Sequence, residues 1–179
     1  MDAICKVLNL RSFRACLIGL AGLLALSCSV PSSPRAARMR SNEELVILEL
    51  RTIKAACDAY EATYERGYPR SLAELGPYPN PPRSPREIRE HFNEPPKMDA
   101  HHAGLIDEVL ASGKGSGYLI IYEPVAEGAR TVKKYTVSAR PESYGRTGLR
   151  SFYLDQTGLI SATTENRPAT DDDAFVAGK

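Results

Sequence analysis

The chain has 179 residues, with 23 lysines and arginines against 22 aspartates and glutamates, for a net charge of +1. That balance lacks the cation excess on which nucleic-acid binding draws. Its hydrophobic share of 42% suits one folded domain and excludes a highly charged disordered chain.

At the N-terminus, Lys6, Arg11 and Arg14 precede an uncharged, mostly apolar stretch from Ala15 to Ser27. A helix that crosses the hydrocarbon of a bilayer needs ~20 such residues, so this stretch is too short to span. A basic start, a short apolar middle and small residues before a break form the pattern of a secretory signal peptide, here residues 1–27. Ala25-Leu26-Ser27-Cys28 resembles the lipobox of bacterial lipoproteins, with Ala25 where that motif usually has Leu. The resemblance implies cleavage before Cys28, a diacylglyceryl group on its thiol and palmitate-type acyl chains that hold the protein to a membrane. Each buried methylene adds ~0.8 kcal/mol of membrane affinity, and two chains hold where one does not. An ordinary signal peptide or an uncleaved anchor is the second reading, and a soluble apolar helix the third. The expected location is the bacterial envelope, anchored on the periplasmic side; Ser29 after the cysteine favours the outer membrane over the inner.

Without residues 1–27 the chain keeps 20 basic and 21 acidic residues. Cys5 and Cys16 fall in the signal and Cys28 takes lipid, which leaves Cys57 alone. No intramolecular disulfide framework is then expected, and Cys57 reads as a small buried apolar residue.

Residues 28–40 read as a lipid-attached flexible tether, since Pro31 and Pro34 oppose helix. Ser41 to Glu44 has the S-x-x-E form of a capping box. From there Val46, Leu50, Ile53, Cys57, Tyr60 and Tyr64 recur at helical spacing, so a long amphipathic helix is expected, ended by Gly67 and Pro69. Ser71 to Leu75 predicts a single further turn. The stretch from Pro77 to Pro96 holds seven prolines, which removes it from any internal strand. A short helix from Ser84 to about Phe92 fits within it, with Pro85 at the first helical position. Asp99 to Gly113 predicts another helix, with Leu105, Ile106, Val109 and Leu110 as its buried face.

Past Gly117 the apolar period shortens to two. Segments 117–124, 133–141 and 150–164 are rich in Tyr, Ile, Val and Thr, and Asp155-Gln156-Thr157-Gly158 divides the last into a hairpin. About four antiparallel strands are expected, with Tyr118, Ile120 and Tyr122 on one core-facing side. Residues 166–179 read as a disordered tail. The domain organisation is thus signal 1–27, tether 28–40, one α+β domain over 41–165, and tail.

No residue is assigned a catalytic, cofactor-binding or metal-binding role; Cys28 is the one assigned site. Asp99, His101 and His102 are the nearest approach to a metal cluster, with His91 joining only if its loop folds back. Adjacent histidines on a helix point ~100° apart and cannot face one ion as an i, i+4 pair does. Asp171 to Asp173 lacks EF-hand spacing. Gly113-Lys114-Gly115-Ser116-Gly117 lacks the length and the Lys-Ser/Thr ending of a phosphate-binding loop, and no serine sits in a G-x-S-x-G elbow.

The run MRSNEELVILELRTIKAACDAYEATYERGYPRSLAELG, residues 39–76, together with HAGLIDEVLASGKGSGYLIIYEP (102–124) and FYLDQTGLI (152–160), resembles the globular part of type IV pilins and type II secretion pseudopilins. The resemblance implies a pilin-like α+β fold: a long N-terminal helix across a roughly four-stranded antiparallel sheet, with one or two short extra helices. The prepilin cleavage site and its ~20-residue apolar helix are missing, so a filament built on such helices is not expected. The expected function is a non-catalytic, membrane-anchored structural or interaction module, an accessory of a pilus or secretion apparatus that docks by its sheet or its Pro-rich loop. The alternative is a periplasmic ligand-binding lipoprotein that reuses the fold.

Overall fold

The computed structural model describes residues 33–78, 98–127 and 131–176. All belong to one unit of the chain. The fold is α+β: one long helix and a six-stranded antiparallel sheet in sequential order. Among the described residues the elements are α1 (Pro34–Tyr64), α2 (Leu72–Leu75), α3 (Glu108–Ala111), β1 (Lys114–Gly115), β2 (Tyr118–Glu127), β3 (Thr131–Pro141), β4 (Ser151–Asp155), β5 (Ile160–Thr163) and β6 (Ala174–Phe175).

Helix α1 runs for 31 residues and starts earlier than expected. Ser33 caps it, its hydroxyl accepting from the Ala36 N–H at 3.2 Å. Pro34 opens the helix, because a proline in the first turn lacks an N–H that would have no helical partner there anyway. The tether assigned to 28–40 is therefore corrected from Pro34 onward, and Ser41 to Glu44 lies inside the helix. The predicted stripe is the buried one: Val46, Leu50, Ile53 and Cys57 are fully buried and Tyr60 nearly so. It also extends one turn back to Glu43, a carboxylate in an otherwise apolar row. Glu65 ends α1 in the left-handed region.

Beyond it, the Tyr68 N–H donates to Val132 O at 2.9 Å, tying the chain to β3. Gly67 has φ +83°, and a Cβ there would stand 2.4 Å from Val132 O. Glycine is required at this crossing by both backbone angle and proximity.

The four anticipated strands are β2 to β5, with a bulge between Val125 and Ala126. Tyr122 pairs with Val137, Val137 with Leu154, and Leu154 with Ile160. The Asp155–Gly158 turn stands where expected: Asp155 Oδ1 accepts from the Thr157 N–H at 2.8 Å, and Gly158 has φ +85°. Strands β1 and β6, two residues each, raise the number from four to six. Segments that short carry no alternation that a sequence can display.

The inner face of the sheet packs on α1 in one core. Tyr118, Ile120, Tyr135, Val137, Ala139, Phe152, Leu154 and Ile160 meet the α1 stripe there, as the alternation of strands β2 to β5 requires.

Two expectations are corrected. The helix predicted from Asp99 to Gly113 shrinks to α3, capped by Asp107, whose Oδ1 accepts from the Leu110 N–H at 2.8 Å. Residues 103–106 instead donate their amides to carbonyls at Glu74, Leu75 and Gly76, so this backbone is satisfied by tertiary pairing and needs no helix. Ile106 and Leu110 are buried; Leu105 and Val109 are exposed. The tail from 166 is ordered through Val176. Its Arg167 clasps Asp173 through both ends of the guanidinium, Ala169 is buried, and β6 pairs with β5. The helix expected at Ser84 to Phe92, and His91, lie outside the described residues.

Candidate functional site

Cys28, the assigned lipid-attachment residue, lies outside the described residues. No described helix is long and apolar enough to cross a membrane.

The Asp99, His101, His102 group is a turn. Asp99 Oδ1 accepts from the amides of His101 at 2.8 Å and His102 at 3.0 Å, which holds its carboxyl below the ordinary carboxylate range. The His102 ring packs on Tyr78 at 4.8 Å between centroids, and its Nδ1 stands 3.7 Å from Asp99 Oδ1. Among the described residues no group of three or more His, Cys, Asp or Glu could hold a metal.

Cys57 is free and buried against Tyr122 and Tyr135. Burial pushes its thiol up to about 12, which keeps it protonated and unreactive at neutral pH. Tyr122 stacks on Tyr135 at 5.3 Å and donates its hydroxyl to Pro69 O at 2.7 Å. Tyr118 donates to Arg150 O at 2.9 Å. These three tyrosines form core; Tyr144 stands exposed and donates to Thr164 O. In the Gly113 to Gly117 segment, Gly113, Ser116 and Gly117 all have positive φ, and the stretch makes the turn from α3 through β1 into β2.

Two glutamates on α1 make contacts that the sequence does not name: Glu43 is buried and Glu49 half-buried. Glu43 Oε1 accepts from the amides of Leu149 and Arg150, and Oε2 from Arg150 Nε at 2.8 Å, so it pins α1 to the loop between β3 and β4. Its signal was visible: it stands three residues before Val46, in line with the stripe. Glu49 Oε1 accepts from the Ser116 hydroxyl at 2.7 Å, while Oε2 is buried without a hydrogen-bond partner. Burial raises its carboxyl above the ordinary range, and the Asp107 charge adds to that. Gly115 makes the room, since a Cβ there would fall 2.2 Å from Glu49 Oε2. No spacing rule links Glu49 to Gly115.

The side of the sheet away from α1 is divided. Over β4 and β5 the C-terminal segment covers it: Ser161 donates to Thr170 O, and Ser151, Ser161 and Thr163 are buried. Over β2 that cover is absent among the described residues. Leu119, Ile121 and Val125 alternate along one face, 45%, 50% and 47% exposed. Strand β1 reaches only Tyr118 and Leu119, so the outer edge of β2 has no described strand partner along most of its length. Pro124 fits such an edge, because proline offers no N–H to a further strand.

Comparison with protein-family models, with curated proteins and with solved structures gave no match.

Proposed function

We propose that the protein is an exported, membrane-anchored lipoprotein whose pilin-like domain acts as a non-catalytic interaction module, an accessory to a type IV pilus or type II secretion apparatus. The observation that carries this reading is the outer face of β2, which no described residue covers. Three aliphatic side chains on an edge strand, beside a half-sheet that the C-terminal segment covers, form a docking strip left open by the described residues. The long helix laid on an antiparallel sheet is in keeping with the resemblance to pilins and pseudopilins. Lipid on Cys28 would place the strip in the envelope, beside such an apparatus.

Two measurements test it. Intact mass of the membrane-fractionated protein is expected to show residues 28–179 plus acyl chains, with release from the membrane in Cys28→Ala. A photo-crosslinking residue at Ile121 is expected to capture pilus or secretion components, whereas one at exposed Ala59 on α1 is not. An uncleaved chain, or one cut without lipid, would remove the lipoprotein part. Capture of no envelope component at Ile121 would remove the docking part.

A further inference from the structure

The N-terminal pole of α1 carries positive charge that no described acid pairs with. Arg35, Arg38 and Arg40 are exposed on its first two turns, and the loop after β3 brings exposed Arg146 beside them. Arg35, Arg38 and Arg146 line an open depression of about 800 Å³, shared with Asn42, Ser116 and one acid, Glu142. Neutral contacts hold the pole together: Arg35 donates to Gly145 O at 2.7 Å and Asn42 to Thr147 O at 2.8 Å. None of the four arginines enters an ion pair among the described residues.

Helix stability does not account for this placement. The macrodipole favours acids in the first turn and bases in the last, yet α1 has no acid in its first turn and no base in its last. Its arginines stand at the positive end, where the dipole and the side chains attract the same anion.

Resting on the lipid-anchor reading, we propose that this pole is a seat for anionic phospholipid headgroups, which sets the domain upright on the membrane that holds Cys28. Ser33 stands five positions after Cys28, a reach of at most ~17 Å fully extended. An arginine attracts a phosphate surface within a Debye length, ~10 Å, and a span of at most ~17 Å keeps the pole close to that range. Length of tether and sign of charge therefore agree. The opposite end of α1 carries Glu61 and Glu65 near Gly67, and a 31-residue helix places that end ~45 Å away. Upright seating leaves the β2 strip facing sideways, open to a neighbour in the envelope.

The test is hydrogen exchange, read by mass spectrometry, on the acylated full chain in nanodiscs of phosphatidylcholine alone or with phosphatidylglycerol added. Residues 34–40 and 142–148 are expected to exchange more slowly on the anionic discs, with the difference lost at high salt and residues 61–68 unchanged. Each arginine replaced, in the series Arg38→Gln, Arg38→Gln/Arg146→Gln and a triple variant with Arg35→Gln, should reduce the lipid-dependent protection about fivefold. Glu142→Gln should raise it, and the first two variants keep the Arg35 contact that steadies the loop. Equal exchange on both lipids, with the acylated protein still on the discs, overturns this proposal and leaves the anchor standing. A chain that carries no acyl group and leaves the discs overturns the anchor and the proposal together.

Discussion

Glu43 and Glu49 show how differently two carboxylates on one helix can stand. Glu43 is 7% exposed but fully engaged, with two amides and a guanidinium on its oxygens. Removing it leaves three donors facing a partly buried gap, and an unpaired buried group costs more than the bond itself contributes. Glu43→Ala is expected to destabilise the fold by about 2–3 kcal/mol in urea unfolding. Glu49 is the opposite case, since burial raises its pKa. The folded state then holds the proton more tightly than the unfolded one, and stability declines as pH rises from the ordinary glutamate range through the raised value. Glu49→Gln keeps an oxygen for the Ser116 hydroxyl and sheds the charge. It should raise Tm at neutral pH, and the gain should vanish below about pH 4, where both proteins are uncharged at this position. A thermal series across pH reads both limits.

At the scale of elements, short segments decide what longer ones leave open. Strand β6 and the loop before it close the outer face over β5, and the Arg167–Asp173 pair locks them. Arg167, with the Thr170 amide, holds the Asp173 carboxyl down to about 2. Its contribution is complete above the ordinary aspartate pKa of 3.8 and is lost as pH falls from there toward 2. Exchange of amides 165–176 should therefore quicken selectively in that window, and Asp173→Asn should produce the same loosening at pH 7. From sequence this segment reads as a disordered tail. An acidic run becomes a clasp only when a guanidinium folds back onto it, and Arg167 lies six residues away with no regular element between. The early start of α1 has a similar origin. Ser33-Pro34 is a helix opening as well as a breaker, and which of the two applies depends on whether Arg35 and Asn42 find the carbonyls of Gly145 and Thr147.

For the whole molecule, the fold and the proposed docking strip rest on different residues. Leu119 and Val125 face away from the core, so Leu119→Lys/Val125→Lys is expected to keep Tm within a few degrees of wild type while abolishing capture by the photo-crosslinking residue at Ile121. A large fall in Tm would instead make the strip a structural face. The sequence by itself determined the α1 stripe, the four main strands, the hairpin turn at Asp155 to Gly158 and the buried position of Cys57. In each of these the signal is local, a period of 3.6 or 2 or a turn residue, and burial merely selects the face it already marks. Tertiary structure alone decided the two edge strands, the replacement of a predicted helix by backbone pairing at 103–106, the engagement of Glu43, the orphaned oxygen of Glu49 and the gathering of four arginines at one pole. The glutamate and arginine contacts join residues 67 to 110 positions apart, and the edge strands and 103–106 rest on backbone groups whose partners no periodicity names, so they exist only once the chain has closed on itself.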